Sequence, residues 1–168
     1  MNNYLIWVTG LSGSGKTTIG NLIKDDIEKL IGKTIIIHGD DLRKLFNNND
    51  YSKDSRLKLA KKYCNFCKYL LDQNINVIIT CVALFHEIHD YNRKTFKNYI
   101  EIYIKSDIED LIKRKEKTFY IEKTNNVWGL DISPELPKKP DIIIENNFNS
   151  DIQTYKNILL NKISKILE

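Results

Sequence analysis

The chain has 168 residues, of which 26 are lysine or arginine, 22 are aspartate or glutamate and 42% are hydrophobic. This length predicts a single domain, residues 1–168, with a sizeable core. The net charge of +4 is too small and too dispersed for a nucleic-acid-binding surface. No run of about 18 apolar residues is present that would span a membrane. We therefore expect neither a nucleic acid nor a membrane as partner.

The N-terminus and the cysteines indicate a cytoplasmic protein without a disulfide framework. No basic segment and apolar block of a signal peptide follow Met1. Three cysteines are an odd number. Cys64 and Cys67 together with His86 and His89 mimic a zinc-ligand set, but a strand-like run lies between the two pairs and the gap is longer than in a zinc finger. We interpret the cysteines as small apolar residues on one face of a helix.

Five short apolar runs, most of them β-branched, alternate along the chain with helical patterns. Near-continuous apolar strands are covered on both faces, and strand–helix alternation predicts βαβ units. The fold class is therefore α/β, a doubly wound, five-stranded parallel sheet. The predicted strands are Tyr4–Val8, Thr34–His38, Asn76–Thr80, Ile100–Ile104 and Asp141–Ile144, and the predicted helices are Lys16–Ile31, Lys53–Gln73, His86–Asn98, Ile108–Lys117 and Asp151–Leu167.

Two of the predicted helices carry clear apolar stripes at three- and four-residue spacing, which indicate faces that lie in the core. The stripes consist of Leu57, Ala60, Cys64, Cys67 and Leu71 in one helix, and Ile152, Tyr155, Leu159, Ile163 and Ile166 in the last.

The segment 115–140 has no strand pattern, is rich in charge and holds all three prolines. So long a stretch without regular structure in a compact domain is usually functional. We expect it to form a lid.

A complete Walker A loop, G-L-S-G-S-G-K-T, follows the first predicted strand and opens the first helix. Its glycines let backbone N–H groups converge on a phosphate, and the helix dipole adds positive potential. The motif predicts ATP and Mg²⁺ as ligands, with Lys16 on the β- and γ-phosphates and Thr17 on the metal. The predicted nucleotide-binding residues in this loop are Gly10, Ser12, Gly13, Ser14, Gly15, Lys16, Thr17 and Thr18.

The second predicted strand is followed by Asp40, at the edge of the sheet where ligands of such folds bind. A carboxylate there can take the proton of an acceptor hydroxyl during phosphoryl transfer. The alternative is that Asp40 or Asp41 only caps the next helix. Arg43 and Arg56 can pair with acceptor oxyanions.

GTPases and ATPases also carry a Walker A loop. A GTPase of the translational type needs an N-K-x-D motif, which is absent. The size of the chain and its lid favour a small-molecule kinase.

Together these residues resemble the adenylylsulfate (APS) kinase family. The resemblance covers most of the chain in register. It rests on G-L-S-G-S-G-K-T-T at Gly10–Thr18, G-D-D-L-R at Gly39–Arg43, Tyr51-Ser52 with Arg56, K-T-F-Y at Lys117–Tyr120, W-G-L-D at Trp128–Asp131, and Ser133-Pro134 followed by Pro137 and Pro140.

The resemblance implies transfer of the γ-phosphate of ATP to the ribose 3′-hydroxyl of a nucleotide. It implies that Asp40 and the lid residue Lys117 are catalytic with Lys16, and that Arg114 lies near the ATP adenine. Arg43 and Arg56 would hold the charged groups of the acceptor, and Tyr51 and Trp128 would sandwich its base.

The chain departs from the family pattern mainly on the acceptor side. His38 replaces an aspartate, the loop Val82–His86 replaces I-S-P-[YF]-R, and Lys58–Lys62 lacks an asparagine of the family. Thr118 replaces a lid glycine. We expect the replaced loop, through Ala83 and Leu84, to help read a different acceptor.

Within this family the pattern resembles the kinases that phosphorylate cytidine diphosphoramidate in bacterial capsule biosynthesis, and APS remains the alternative acceptor. Two further alternatives are a kinase for another hydroxyl, such as a sugar acid or a nucleic-acid end, and a non-catalytic nucleotide-binding module. The sequence leaves open whether the chain forms a homodimer.

Overall fold

The computed structural model describes residues 3–114, 120 and 126–168. Their central feature is a five-stranded sheet in which every neighbouring pair is parallel, in the order β2-β3-β1-β4-β5. The strands are β1 (Leu5–Thr9), β2 (Thr34–His38), β3 (Asn76–Cys81), β4 (Tyr99–Lys105) and β5 (Ile142–Glu145).

Helices connect the strands. They are α1 (Lys16–Ile31), α2 (Gly39–Leu45), α3 (Lys53–Asp72), α4 (His86–Thr95), α5 (Ile108–Arg114) and α6 (Ile152–Leu167). The α/β class and the parallel sheet predicted from the alternating pattern are confirmed.

The sheet is covered on both faces, because side chains of each strand alternate between two apolar clusters. Leu5 and Trp7 of β1 join the cluster that α3 and α4 cover, whereas Ile6 and Val8 join the one that α1 and α6 cover. All five residues of β1 are buried, as a central parallel strand requires. The sheet is therefore doubly wound, and β1 at its centre delivers the Walker A loop to the middle of one edge.

Several predicted boundaries differ from the observed ones by a single residue, but three differences are larger. The short helix α2 was not predicted, because two aspartates and a glycine at its start conceal its helical pattern. Helix α4 ends at Thr95, three residues before the prediction, because Phe96 adopts an extended conformation and is buried. Helix α5 is described to Arg114, and residues 115–117 of the predicted helix lie outside the described residues.

The predicted core stripe of α6 is correct only at its centre. Tyr155, Leu159 and Ile163 are buried, whereas Ile152 and Ile166 are about 40% exposed. Ile152 and Ile166 therefore lie outside the apolar cluster that the centre of the helix joins.

Cys64 and Cys67 are buried on one face of α3, as predicted. Burial raises the pKa of the Cys64 thiol to about 12. These cysteines therefore act as apolar packing residues. Among the described residues, no helix is long and apolar enough to cross a membrane.

A buried polar cluster beneath α4 makes stability depend on pH. His89 is 4% exposed, its Nδ1 lies 4.0 Å from Oε1 of Glu101, and that carboxylate is paired with Arg93 at 2.9 Å. Burial lowers the pKa of His89 to about 4 from the ordinary 6.5. The unfolded chain therefore binds a proton between these values that the folded chain does not, and the stability contributed by neutral His89 is lost as the pH falls from 6.5 to 4.

We expect the free energy of unfolding to fall by up to about 3 kcal/mol between pH 7 and pH 4 through this residue alone. Urea unfolding of the wild type and of His89→Gln, each at pH 7 and at pH 4, measures this change. The difference in free energy of unfolding between the wild type and His89→Gln should become smaller as the pH is lowered. An unchanged difference would show that His89 binds its proton equally in both states.

Candidate active site

A cavity of about 1120 Å³ opens at the carboxyl edge of the sheet. Segments that follow β1, β2, β3 and β5 reach it together, which is where ligands of doubly wound sheets bind. Helix α3 and residues 126–128 complete its wall. The site is therefore assembled from parts of the chain that are far apart in sequence.

The loop between β1 and α1 lies in the cavity and is shaped by its glycines. Gly13 and Gly15 have φ of 81° and 92°, values that side chains rarely adopt. A Cβ at Gly10 would lie 2.3 Å from the carbonyl oxygen of Ile104 in β4. Gly10 is thus required for close packing on the sheet, and the loop can curl only because these residues lack side chains.

The loop has the features of a site for a magnesium-bound polyphosphate. Thr17 and Thr18, in the first turn of α1, are exposed in the cavity, and the N–H groups of a first helical turn lack intrahelical acceptors. The Oγ of Ser14 is fully buried and has no hydrogen-bond partner among the described residues. The Thr17 hydroxyl is a ligand of the kind that Mg²⁺ takes. These groups fit the predicted phosphate and metal.

Lys16 supplies the positive charge of the loop. It is 8% exposed, and its Nζ donates to the carbonyl oxygen of Leu11 at 2.7 Å. The ammonium group is thereby held over the loop and lines the cavity. Because the site excludes much of the solvent around this charge, its effect on a bound phosphate is larger than at the surface.

Asp40 is placed in the cavity by the packing of its neighbour Gly39. A Cβ at Gly39 would lie 2.9 Å from that of Cys81, so the start of α2 is pressed against the end of β3. The buried hydroxyl of Tyr63 donates to the Gly39 carbonyl at 2.8 Å. Asp40 lines the cavity, whereas Asp41 does not line it and pairs with Lys44 at 3.7 Å. This arrangement favours Asp40 as the reactive carboxylate.

His38, the departure from the family pattern at the end of β2, also lines the cavity. Its Nδ1 lies 2.8 Å from the hydroxyl oxygen of Thr80 on β3. The imidazole is therefore held against the neighbouring strand, at the place where the family pattern has a carboxylate.

Two arginines and a tyrosine form one wall. The guanidinium carbons of Arg43 and Arg56 lie 4.4 and 5.1 Å from the ring centre of Tyr51, which is 51% exposed. Arg56 donates to the carbonyl oxygens of Tyr51 and Asn126, at 2.7 and 2.8 Å. Arg56 of helix α3 is thus joined directly to Asn126, in the segment predicted to form a lid.

Trp128 lies deeper than Tyr51. Only 3% exposed, it packs edge to face on Phe85 with ring centres 5.1 Å apart. Its ring centre is 6.0 Å from the guanidinium carbon of Arg56, which therefore lies near both predicted base-stacking rings.

This wall is positively charged. Burial, followed by the neighbouring charge of Arg43, lowers the pKa of Arg56. Among the described residues, neither arginine has a carboxylate within ion-pair distance, and Arg43 donates to Asn48 and to the carbonyl of Asp50. Two like charges held together in a cavity without a carboxylate partner favour an anionic ligand.

A further aromatic ring, that of Phe148, also lines the cavity and was not predicted. The guanidinium carbon of Arg114 is 4.0 Å from the ring centre of Phe148, and both residues line the cavity. A lone aromatic residue in the polar run Asn146–Ser150, directly after the last strand, was the available signal. A flat cation and an aromatic face are surfaces on which a nucleobase stacks.

Tyr120, in the segment predicted to form a lid, contacts the Walker A loop. Its hydroxyl donates to the carbonyl oxygen of Ser12 at 2.8 Å, and burial raises its pKa to about 12. Lys117, the predicted lid lysine, lies outside the described residues.

The structure brings together most of the predicted site residues, but Leu84 must be corrected. It is 0% exposed and belongs to the core beneath the loop, because its side chain turns inward while Ala83 faces the cavity. Gly10 and Ser14 support the loop from behind and do not line the cavity. The predicted residues that do line it are Ser12, Gly13, Gly15, Lys16, Thr17, Thr18, Asp40, Arg43, Tyr51, Arg56, Ala83, Arg114 and Trp128.

Comparison with known families agrees with this geometry. Residues 2–145 match the adenylylsulphate kinase family. The chain belongs to this family. It is accordingly a kinase, and the resemblance inferred from the sequence motifs is confirmed.

The chain is 38% identical over 167 residues to cytidine diphosphoramidate kinase of Campylobacter jejuni. This match covers 97% of this chain and 98% of the relative. The chain is 30% identical over 164 residues to adenylyl-sulfate kinase of Clostridium kluyveri, covering 94% and 82%. The APS kinase CysC of Mycobacterium tuberculosis, solved with AMPPNP and APS, has the same fold, with a TM-score of 0.84, 22% identity and coverage of 97% and 98%.

Proposed function

We propose that this kinase transfers the γ-phosphate of ATP to the ribose 3′-hydroxyl of a nucleotide, and that its preferred acceptor is cytidine diphosphoramidate. The observation that carries the acceptor is the 38% identity over nearly the whole length of both chains to a kinase of that name. The APS kinase relative is 30% identical. Capsule biosynthesis is the corresponding biological role.

The distribution of the departures supports this acceptor. The Walker A loop keeps every residue of the family pattern, and it forms the donor half of the cavity. His38, at the end of β2, and Ala83, after β3, depart from the pattern and also line the cavity. A kinase with an intact donor site and an altered acceptor site is expected to keep the reaction and change the acceptor.

The charge of the wall formed by Arg43, Arg56 and Tyr51 supports a nucleotide with an anionic tail. The two guanidinium groups are available to the phosphate oxygens of the acceptor, and Tyr51 offers a half-exposed face to its base. Stacking tolerates any base. The base must therefore be distinguished by polar groups around it, and the chain's departures lie on that side of the cavity.

In the proposed reaction, the Asp40 carboxylate accepts the proton of the 3′-hydroxyl while the oxygen of that hydroxyl attacks the γ-phosphorus. The new oxygen–phosphorus bond forms as the bond from the γ-phosphorus to the β–γ bridging oxygen breaks, and ADP leaves. Lys16 stabilises the charge on the phosphoryl oxygens. Thr17 would hold Mg²⁺, which neutralises charge on the β- and γ-phosphates when bound.

The test is a comparison of acceptors with the purified chain, ATP and Mg²⁺, read by mass spectrometry for the gain of one phosphate. We expect kcat/KM for cytidine diphosphoramidate to exceed that for APS by at least about tenfold, which corresponds to about 1.4 kcal/mol. APS as the better acceptor by the same factor would make the chain an APS kinase. Turnover of neither would contradict both acceptors and favour a kinase for another hydroxyl.

A substitution separates the acceptor site from the donor site. Tyr51→Ala should raise KM for the acceptor by about five- to a hundredfold, the range measured for loss of one stacked base, with little change in KM for ATP. Tyr69→Ala is a matched control, because Tyr69 lies in α3, is 61% exposed and does not line the cavity. Equal effects of the two substitutions would remove Tyr51 from the acceptor site.

A further inference from the structure

Asn146 lies directly after β5, and its polar groups are all used. The side chain is buried with 6% exposure. Its Nδ2 donates to the carbonyl oxygen of Ser14 at 2.9 Å, and its Oδ1 accepts from the N–H of Phe148 at 3.0 Å. The backbone N–H donates to Lys105, and the backbone carbonyl accepts from the Ser106 hydroxyl. Asn146 is thus fixed to β4 while its side chain joins two separate parts of the cavity.

The first of these parts is the Walker A loop. A Cβ at Gly15 would lie 2.9 Å from Nδ2 of Asn146, so the loop backbone bends closely around this amide. Gly15 has φ of 92°, and the carbonyl of the preceding Ser14 is held by the amide from outside the loop. The direction of the N–H groups that follow is set by this bend. Asn146, which itself lines the cavity, therefore supports the bend of the loop on which the phosphate cradle depends.

The second part is the ring of Phe148. This residue has φ of 65°, a left-handed conformation that is unfavourable for a non-glycine residue and persists only where neighbouring contacts hold it. The bond from its N–H to Oδ1 of Asn146 is such a contact. The ring is thereby kept beneath the guanidinium of Arg114 at the cavity wall.

We propose that Asn146 is a positioning residue for the nucleotide donor, which sets the distance between the phosphate cradle and the surface on which the base stacks. One amide side chain ties the loop at Ser14–Gly15 to Phe148, so the two subsites cannot move independently. The proposal rests on the proposed function in one respect only, namely that the phosphate donor is a nucleotide. It does not depend on which acceptor is used.

The experiment measures direct binding, without acceptor, of two Mg²⁺-bound probes: the ATP analogue AMPPNP and inorganic tripolyphosphate, which has no base. Phe148→Leu removes the stacking face alone. It should weaken AMPPNP by about tenfold and leave tripolyphosphate unchanged. Asn146→Ser keeps a short acceptor for the Phe148 N–H but cannot reach Ser14. It should weaken both probes by a similar factor, about three- to tenfold for one lost hydrogen bond.

Asn146→Ala removes both connections and is the decisive variant. We expect it to weaken the binding of tripolyphosphate as much as Asn146→Ser does. The binding of AMPPNP should be weakened by that factor and, in addition, by a factor close to the one expected for Phe148→Leu. Asn147→Ala, at the exposed neighbouring position, is the matched control and should bind both probes as the wild type does.

Wild-type dissociation constants for both probes in Asn146→Ala would overturn the proposal, and so would weakening of tripolyphosphate without the additional loss of AMPPNP. If Asn146→Ala only destabilises the fold, fewer molecules would bind each probe at saturation, but the dissociation constants would equal those of the wild type. That result would also overturn the proposal. Failure of the wild type to bind AMPPNP would instead contradict the proposed function, so the two failures are distinguishable.

Discussion

Lys16→Ala should lower kcat by about 10²–10³-fold or more while the protein remains folded. The ammonium group lies inside the cavity, over the loop that holds the phosphates, where its charge acts on the transferring group with little screening. The charge on that group is greatest in the transition state, so the loss appears mainly in kcat. Steady-state rates of ADP formation with saturating acceptor measure the effect.

Lys29→Ala is the control for this substitution, because Lys29 lies at the other end of α1 with its side chain 77% exposed. Circular dichroism and thermal unfolding should be unchanged in both variants. A folded Lys16→Ala protein that retains near-normal turnover would contradict the assignment of the loop.

Asp40→Asn should lower kcat by about 10²–10⁴-fold, the usual contribution of general acid–base catalysis. The amide keeps the shape of the side chain and can still hydrogen-bond the acceptor hydroxyl, but it cannot take the proton. Binding of ATP should therefore change little. Pre-steady-state phosphoryl transfer at saturating ATP and acceptor separates the chemical step from product release.

The neighbouring substitution Asp41→Asn distinguishes the two carboxylates. Asp41 is exposed, does not line the cavity and pairs with Lys44. We expect near-normal kcat for this variant. A mild effect of Asp40→Asn together with a severe effect of Asp41→Asn would reverse the roles assigned to them.

Much of the donor half could be predicted because its determinants are local in the chain. The glycines, lysine and threonine of the Walker A loop lie within eight consecutive residues, and the strand and helix on either side have strong patterns. Asp40 could be predicted because it follows a strand of a parallel sheet, and the carboxyl ends of such strands share one edge.

Leu84 shows where the same reasoning failed. Position in a loop at the correct edge predicts proximity to the cavity but not the direction of a side chain. Ala83 lines the cavity, whereas Leu84 is buried in the core, at the centre of a tight turn in which the Phe85 N–H donates to the Ala83 carbonyl. Which of two neighbours faces inward depended on where the core lay.

The sequence by itself determined the α/β class, the order along the chain of the strands and of the helices other than α2, and the phosphate-binding loop, because each depends on periodicity or on residues close together in the chain. Only the tertiary structure decided that Asn146 joins Ser14 across 132 residues, that Phe148 lies beneath Arg114, and that Tyr63 fixes Gly39. These contacts form when parallel strands bring their ends to one edge. No local pattern records which distant side chain will meet which, because that depends on strand order and packing.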